Sequence, residues 1–380
     1  MNIAVNTRLL IKGKMDGIGW FTAESLRCLV ANHPEHQFIF FFDRKPHADF
    51  IFASNVRPVV LHPPARHPLL WYLFFEWSVA RALKREKADL FLSPDGFISL
   101  HSDVPSVAVI HDLNFEHAVG NLKPSHQWYM SHFFVKYARH AARIVTVSEF
   151  SKRDIASTYH VPLDKIGVVY NGSHVMYKPL NPNQKRQVRA KYTSGCPYFI
   201  FVSTILKRKN LAGLLRAFDI FKKQDTANTR LIVVGAPVWW GSELKEAYDT
   251  MQHQQSVCLL GRLDAEPLSQ LLASAVALVY PSYYEGFGIP ILEAFYAETA
   301  VITSNVTSMP EVAGDAALLD DPSNDLMIAD AMSRVANDEE LRNALIERGR
   351  IQRKKFSWEH TAELLWNELS AVLNKSINLK

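Results

Sequence analysis

The chain has 380 residues, of which 48% are apolar and 21% are charged, and its 42 Lys and Arg against 38 Asp and Glu give a formal charge of +4. This composition is typical of a globular protein and excludes disordered, collagenous and coiled-coil chains. So small an excess of base argues against a dedicated DNA-binding protein, and no nucleic-acid partner is expected. The length predicts about two domains.

Short apolar runs rich in β-formers alternate with helical patterns, which predicts parallel βαβ units. The predicted strands are residues 3–6, 38–42, 107–110 and 143–147, followed by 199–203, 231–234, 276–280 and 300–303. Residues 177–184, rich in proline and asparagine, divide the two sets and predict an interdomain linker. From Ser357 onward, spaced leucines predict an amphipathic C-terminal helix. The expected fold is α/β, with two doubly wound domains.

Three separated cysteines, Cys28, Cys196 and Cys258, fit neither a disulfide framework nor a metal knuckle and favour a reducing compartment. The N-terminus shows no signal-peptide pattern, and the longest apolar run, residues 69–75, is too short to span a bilayer. We therefore expect a cytoplasmic protein.

The sharpest local pattern surrounds Glu285 and Glu293. A buried strand ends at Tyr280, a loop with two glycines follows, and a helix begins near Gly288. The amides and positive dipole end of such a helix suit a phosphate, and Glu293 in its second turn is placed to accept hydrogen bonds from ribose hydroxyls. A plain strand-loop-helix connection with two solvated glutamates is the alternative.

A second pattern is the basic triplet Lys207, Arg208 and Lys209, between a strand and the start of a helix. Cations at the carboxyl end of a buried strand suit a diphosphate that gains charge as a bond breaks. The alternative is a solvated turn.

Two further patterns lie in the first half of the chain. His111 ends a strand, where open α/β sheets place ligand-contacting groups, although a lone histidine is often structural. Gly17 and Gly19 open the first helix and allow close approach of the backbone to a ligand. Thr22 stands where a dinucleotide-binding loop has its third glycine, so a nicotinamide cofactor is poorly supported.

None of the nineteen aspartates forms an Asp-x-Asp pair, and the chain holds no P-loop, GxSxG or HExxH motif. We expect protein cations to stabilise any diphosphate, with no metal and no cofactor.

Together these segments resemble the retaining family 4 glycosyltransferases of the GT-B fold, from Gly17 to about Trp358. The motifs that carry the resemblance are the Gly-x-Gly loop, His111-Asp112, residues 147–151, residues 208–211, and above all Glu285 and Glu293 within Glu-Gly-Phe-Gly-x-Pro-x-x-Glu-Ala. The resemblance implies an acceptor-binding domain at 1–180, a nucleotide-sugar-binding domain at 181–356, and a helix at 357–380 that returns to the N-terminal domain. The two Rossmann-like domains would face each other across a cleft.

The resemblance also implies roles for individual residues. Lys209 would stabilise the departing diphosphate, Glu285 would contact donor-sugar hydroxyls, and His111 would reach the transferred sugar. Glu293 would hold the ribose, and Gly19 would let the backbone approach the phosphates. The other implied donor-binding residues are Gly17, Thr204, Arg208, Arg262, Gly286, Phe287 and Gly288. Many members carry an arginine where this chain has Ser203-Thr204, so diphosphate stabilisation would depend on Lys209 and Arg208.

The resulting hypothesis is retaining transfer of a hexosyl unit, with mannose from GDP-mannose as the first choice. The acceptor would be a saccharide or a lipid-linked molecule in envelope polysaccharide synthesis. One alternative is a transferase that uses a UDP- or dTDP-sugar. The other is a catalytically inactive nucleotide-sugar-binding subunit of the same fold.

Residues 66–87 combine aromatic side chains with following cations, which suits contact with anionic lipid or a lipid-linked acceptor at the inner face of the cytoplasmic membrane. The first 180 residues carry a net charge of +5 and the remaining 200 carry −1, which agrees with such an orientation. A helix packed into the core with a solvated basic end is the alternative.

Overall fold

The computed structural model describes residues 1–117, 122–173, 176–236 and 240–377. The chain divides into two compact units. The N-terminal unit comprises Met1–His117, Leu122–Gly172 and the segment from Ser357 onward, and the C-terminal unit comprises the described residues of Ser173–Phe356. The last three residues of the predicted C-terminal segment, 378–380, lie outside the described residues.

Each unit contains one parallel sheet. The strands of the N-terminal unit are β1 (Asn2–Asn6), β2 (Gln37–Phe42), β3 (Val56–Val60), β4 (Leu90–Ser93), β5 (Ser106–Val109), β6 (Arg143–Thr146) and β7 (Ile166–Val168). The strands of the C-terminal unit are β8 (Tyr198–Val202), β9 (Arg230–Val234), β10 (Val257–Gly261), β11 (Ala277–Tyr280), β12 (Ala300–Ser304) and β13 (Ala317–Asp320).

The α-helices lie in the connections between the strands, except for the last three, which follow β13. In chain order they are α1 (Gly17–Asn32), α2 (Pro68–Leu73), α3 (Ala80–Arg85), α4 (Pro124–His140), α5 (Glu149–Tyr159), α6 (Pro182–Thr193), α7 (Leu211–Lys222), α8 (Ser242–Asp249), α9 (Ala265–Ser274), α10 (Ile289–Tyr296), α11 (Met309–Ala313), α12 (Asp325–Asn337), α13 (Glu339–Gln352) and α14 (Trp358–Ile377). A π-helical turn (Phe74–Val79) joins α2 to α3, and a 3-10 turn (Lys207–Lys209) precedes α7.

In the N-terminal unit the strand order is β3-β2-β1-β4-β5-β6-β7, with every pairing parallel. Val5 of β1 lies opposite Phe40 of β2 and Leu92 of β4, and all three side chains are buried. Central strands of a parallel sheet are covered on both faces, which explains why their sequences are apolar throughout.

In the C-terminal unit the order is β10-β9-β8-β11-β12-β13, again entirely parallel. Counted from β8, this is the 3-2-1-4-5-6 order of dinucleotide-binding sheets. The predicted class of two Rossmann-like parallel α/β domains is therefore confirmed for each unit.

The boundary between the units lies after Gly172, whereas the sequence predicted it after residue 180. Tyr177 is buried and forms a hydrogen bond with Glu293, so this part of the connecting segment packs in the C-terminal unit. The segment from Ser357 groups with the N-terminal unit, where α14 packs against α1. The Thr361 hydroxyl donates to the Tyr170 carbonyl at 2.7 Å.

The described residues contain no helix with both the length and the apolar character that a membrane span requires.

If the packing of α14 stabilises the N-terminal unit, Leu365→Ala will lower its stability, because Leu365 is fully buried on that helix. Loss of a buried leucine side chain costs about 2–5 kcal/mol. Thermal unfolding would measure the loss, and hydrogen exchange of the α1 amides would localise it. Leu326→Ala, at a position that is 68% exposed, is the control. Equal melting temperatures for the two variants would contradict the prediction.

Candidate functional site

The strand order of the C-terminal unit defines where a ligand can bind. Strands β8 and β11 are neighbours, and the chain leaves β8 toward β9 on one side and β11 toward β12 on the other. At such a switch point the connections diverge and leave a crevice at the carboxyl edge of the sheet. Residues 203–210 follow β8 and residues 281–288 follow β11, so both segments with predicted site residues border this crevice.

Three charged side chains and one tyrosine meet there. Lys209 donates to Glu285 Oε1, and its Nζ also donates to the Tyr280 hydroxyl at 2.8 Å. Arg208 donates from Nη1 to Glu285 Oε2 at 2.9 Å and to the Tyr284 carbonyl at 2.8 Å. The Tyr280 hydroxyl donates to Glu285 Oε1 at 2.8 Å. Lys209 and Glu285 are both more than nine-tenths buried, so the cluster is a preorganised buried ion-pair network.

The electrostatics of the cluster keep Glu285 ionised. Burial alone would raise the pKa of its carboxyl, but the charges of Lys209 and Arg208, with the hydrogen bonds from Lys209 and Tyr280, lower that pKa below its usual value. Burial and the neighbouring Glu285 charge raise the pKa of the Tyr280 hydroxyl, so Tyr280 stays protonated.

Local backbone geometry explains how the basic triplet reaches the crevice. Residues 207–209 form a tight 3-10 turn, and Asn210 then adopts the left-handed conformation at φ 55°. The Asn210 side chain accepts from the Gly213 amide at 3.1 Å and caps α7. This reversal buries Lys209, whereas the Lys207 side chain is 63% exposed.

The loop after β11 is held in place by hydrogen bonds to both backbone groups of Glu285. The Glu285 amide donates to Thr307 Oγ1 at 3.3 Å, and the Ser308 hydroxyl donates to the Glu285 carbonyl at 2.9 Å. Gly286 and Phe287 are buried. Gly288 has φ 97°, which only glycine adopts easily, and starts α10. The loop that leads into α10 is therefore ordered, and it fixes the position of the free amides in the first turn of the helix.

Glu293 lies in the second turn of α10 and forms a hydrogen bond with Tyr177. Burial raises the pKa of Glu293 to about 7, although the hydrogen bond from Tyr177 lowers it. The carboxyl group therefore changes its charge near neutral pH.

Thr204 and Arg262 are exposed and follow β8 and β10. Within the described ranges, neither forms a hydrogen bond with the Glu285 cluster. Gly235 lies between them and was not identified from the sequence. Its amide donates to the Gly261 carbonyl at 2.8 Å, and a Cβ atom there would lie 1.7 Å from the Ser203 carbonyl oxygen. A glycine directly after a buried strand was the available signal.

Tyr280 and Tyr177 were likewise not predicted as site residues. Each places a hydroxyl on one of the two glutamates. The only sequence signal for Tyr280 was its place at the end of a strand whose other residues are apolar.

The remaining predicted residues lie in the N-terminal unit. His111 follows β5, and its Nε2 donates to the Pro94 carbonyl at 2.8 Å, so the imidazole carries its proton on Nε2 and presents Nδ1 as an acceptor. Burial lowers the pKa of His111, against the hydrogen bond to Pro94 and nearby aspartates such as Asp112 and Asp16. The ring also makes an edge contact with Phe21 at 5.0 Å.

Gly17 and Gly19 begin α1. The Asp16 carboxylate accepts from the Gly19 amide at 3.0 Å and caps the helix. A Cβ atom at Gly19 would lie 3.1 Å from Met15 Cβ, so the glycine admits the loop that precedes the helix. In the described residues, no group of three or more His, Cys, Asp or Glu side chains is arranged to hold a metal.

Known proteins match both units. Residues 15–175 match the model of glycosyltransferase family 4, and residues 184–352 match that of the glycosyl transferases group 1. The O-antigen chain mannosyltransferase B of Escherichia coli is 30% identical over 361 residues, which cover 92% of this chain and 94% of that protein. The O-antigen chain mannosyltransferase RfbU of Salmonella typhimurium is 26% identical over 339 residues, covering 86% and 88%.

Solved structures show the same fold. Anabaena Alr3699/HepE, crystallised in complex with UDP and glucose, superposes with a TM-score of 0.74 at 17% identity, over 98% of this chain and 100% of that one. The chain therefore belongs to glycosyltransferase family 4, the group 1 glycosyl transferases, and is a glycosyltransferase built from the two Rossmann-like domains of the GT-B fold.

Proposed function

We propose that this enzyme transfers a hexosyl unit from a nucleoside diphosphate sugar to a hydroxyl group of a saccharide or lipid-linked acceptor, with retention at the anomeric carbon. The product would be an envelope polysaccharide. The observation that carries the proposal is the buried cluster of Lys209, Arg208 and Glu285 at the switch point of the C-terminal sheet. Mannose from GDP-mannose is the first choice of donor, since two relatives of nearly full length are named mannosyltransferases.

The chemistry needs stabilisation of a leaving group. The bond between the anomeric carbon and the β-phosphate oxygen breaks, the acceptor oxygen bonds to that carbon, and its proton passes to the leaving phosphate. Negative charge therefore accumulates on the diphosphate in the transition state. Lys209 and Arg208 are held at the carboxyl edge of the sheet before substrate arrives, so little reorganisation is needed to meet that charge.

Glu285 has two functions in this proposal. Its ionised carboxylate fixes both cations, and the one acceptor site that remains on Oε2 can accept a hydrogen bond from a donor-sugar hydroxyl. The residues Gly286, Phe287 and Gly288 would shape the loop against the donor, and Glu293 would accept from the ribose. For His111, Gly17, Gly19, Thr204 and Arg262, donor contact remains a prediction from the family resemblance.

We also propose that no metal is needed, because Lys209 and Arg208 supply two cations at the carboxyl edge of the sheet, where we expect the diphosphate to bind. Location at the inner face of the cytoplasmic membrane, with contact through residues 66–87, belongs to the same proposal. A UDP-sugar is the second candidate donor, since the superposed Anabaena protein binds UDP and glucose.

A thermal-shift screen with GDP, UDP, ADP and dTDP, followed by transfer assays with the matching sugars, tests the proposal. We expect GDP and GDP-mannose to raise the melting temperature most, because a ligand of the native state stabilises it by mass action. Turnover should persist in EDTA. A shift with UDP alone would identify the second donor. Binding without turnover, across the donors and several acceptors, would contradict the enzyme and favour an inactive binding subunit.

Replacing Lys209 tests the leaving-group role. Lys209→Ala should lower kcat by about 100- to 1000-fold, as does removal of a single preorganised electrostatic contact in a transition state. The matched control is Lys207→Ala, since Lys207 is exposed and lies two residues away. Steady-state kinetics would measure both variants, with circular dichroism to confirm folding. A Lys209→Ala enzyme with nearly normal kcat would exclude the assigned role.

The raised pKa of Glu293 predicts a pH dependence of nucleotide binding. Below about pH 7 the carboxyl is mostly protonated, and above it the ionised form accepts hydrogen bonds from ribose hydroxyls. GDP affinity should therefore rise with pH, by up to about tenfold between pH 6 and pH 8, and then level off. Calorimetric titrations would measure it.

Glu293→Gln is the control for that titration, because glutamine keeps the shape of the side chain without its ionisation. GDP should bind this variant with a weaker pH dependence. An identical pH profile in the two proteins would assign the titration to another group, such as the β-phosphate itself.

A further inference from the structure

The helical segment from α2 to α3 in the N-terminal unit has two unlike faces. Trp71, Phe74 and Phe75 are buried in the core of the unit. Leu69 and Trp77, by contrast, are 64% and 57% exposed. The alternative predicted from the sequence, a helix packed into the core, is therefore correct for the buried face. It does not explain the exposed face.

The π-helical turn at Phe74–Val79 produces this division. In an uninterrupted α-helix, the face that carries Leu69 and Tyr72 would continue through position 76, since side chains recur every 3.6 residues. The π turn adds a residue to the repeat, so Glu76 is buried and Trp77 takes its place on the exposed face. Such turns are rare and occur frequently at functional sites.

The buried Glu76 carboxylate holds the turn in this register. Its Oε2 accepts from the Leu100 amide at 2.9 Å, from the Ser99 hydroxyl at 3.2 Å, and from His101 Nδ1 at 2.7 Å. These bonds join the turn to the loop after β4. Exposure of Trp77 is thus a consequence of a specific internal network, not of a frayed helix.

Helix α4 extends the exposed face through a chain of ring contacts. Tyr72 lies 5.9 Å from Phe133, Phe133 lies 4.9 Å from His132, and His132 stacks on Trp128 at 5.3 Å between ring centroids. Trp128 is 63% exposed. Single exposed apolar residues are ordinary, but a chain of ring contacts that joins exposed Trp128 to Tyr72, on the face that also carries Trp77, marks an interaction site.

Cations surround these aromatic side chains. The Arg81 guanidinium lies 4.9 Å from the Trp77 ring, and Lys136 Nζ lies 5.3 Å from the Phe133 ring. Lys84 is exposed one turn beyond Arg81. Among the described carboxylates, none forms an ion pair with Arg81 or Lys84. Aromatic and apolar side chains beside cations complement a bilayer surface that contains anionic headgroups.

We infer that Leu69, Tyr72, Trp77 and Trp128, with Arg81 and Lys84, form a docking surface for an anionic lipid bilayer. We call this set the tryptophan surface. The inference extends the membrane contact of residues 66–87 to helix α4, and it rests on that part of the proposed function. Leu69 and the two tryptophans would enter the headgroup region, while Arg81 and Lys84 would meet anionic phosphates.

Vesicle flotation of the full chain tests the inference. The probes are vesicles of phosphatidylcholine alone and vesicles with about one third phosphatidylglycerol. We expect binding to the anionic vesicles only, weakened at high salt because the screening length falls from ~10 Å at 0.1 M to ~3 Å at 1 M. A double variant, Trp77→Ser with Trp128→Ser, and a second, Arg81→Glu with Lys84→Glu, should each lose at least about tenfold in partitioning.

Leu326→Ser is the matched control, since Leu326 is an exposed apolar residue of the C-terminal unit. It should bind like the wild type. Transfer to a soluble acceptor should be unchanged in all variants, which separates failure of the surface from failure of the proposed transfer. No vesicle binding by the wild type, or equal binding by the tryptophan variants, would overturn the inference. Self-association that requires Trp77, without vesicle binding, would overturn it in favour of a protein interface.

Discussion

The pairing of one buried carboxylate with two cations is the constraint on which the C-terminal unit depends. Glu285 accepts from Lys209 and Arg208 and so joins the loop after β11 to the turn after β8. Burying these charges is tolerable only because each faces an opposite charge and further hydrogen bonds, since an isolated buried charge is strongly destabilising. The network therefore fixes both loops. In the proposed reaction, a diphosphate would share the cations with Glu285 without either having to move far.

The position of this network follows from topology. Parallel strands bring their carboxyl ends to one edge, and the neighbours β8 and β11 lead to connections that diverge. Lys209 and Glu285 are 76 positions apart in the sequence. They meet because the strands that precede them are adjacent in the sheet. Gly235 lies at the same edge of the sheet, where a side chain would collide with the carbonyl of Ser203. Crowded backbone and buried charge are thus concentrated at one point of the unit.

The sequence was sufficient to predict the fold class and to place Lys209 and Glu285 after the carboxyl ends of two buried strands, because most central strands are continuous apolar runs with motifs at their ends. Five strands, β3, β4, β7, β10 and β13, lie outside the eight predicted ones, and all but β4 lie at the edge of their sheet. The central strand β4 has only four residues, of which three are apolar, so its pattern is too short to stand out. An edge strand is covered less, so its sequence is shorter or more polar. In β3, Arg57 and Pro58 are exposed, and proline is tolerated at an edge because it need not donate to the ladder.

The partners of the ionisable groups could not be predicted in the same way. Whether Glu285 pairs with a cation or with solvent depends on distances that only the folded chain sets. The same holds for Glu293, whose raised pKa comes from burial and whose partner Tyr177 precedes it by more than one hundred residues. A helical periodicity of 3.6 residues per turn also predicts the wrong exposed side chains for residues 68–85, because it takes no account of the π turn. One π turn changes which side chains are exposed, and with them the chemistry of the surface. One face of the segment can therefore pack in the core while the other is exposed and available to a membrane, because the residue added by the π turn changes which side chains lie on each face.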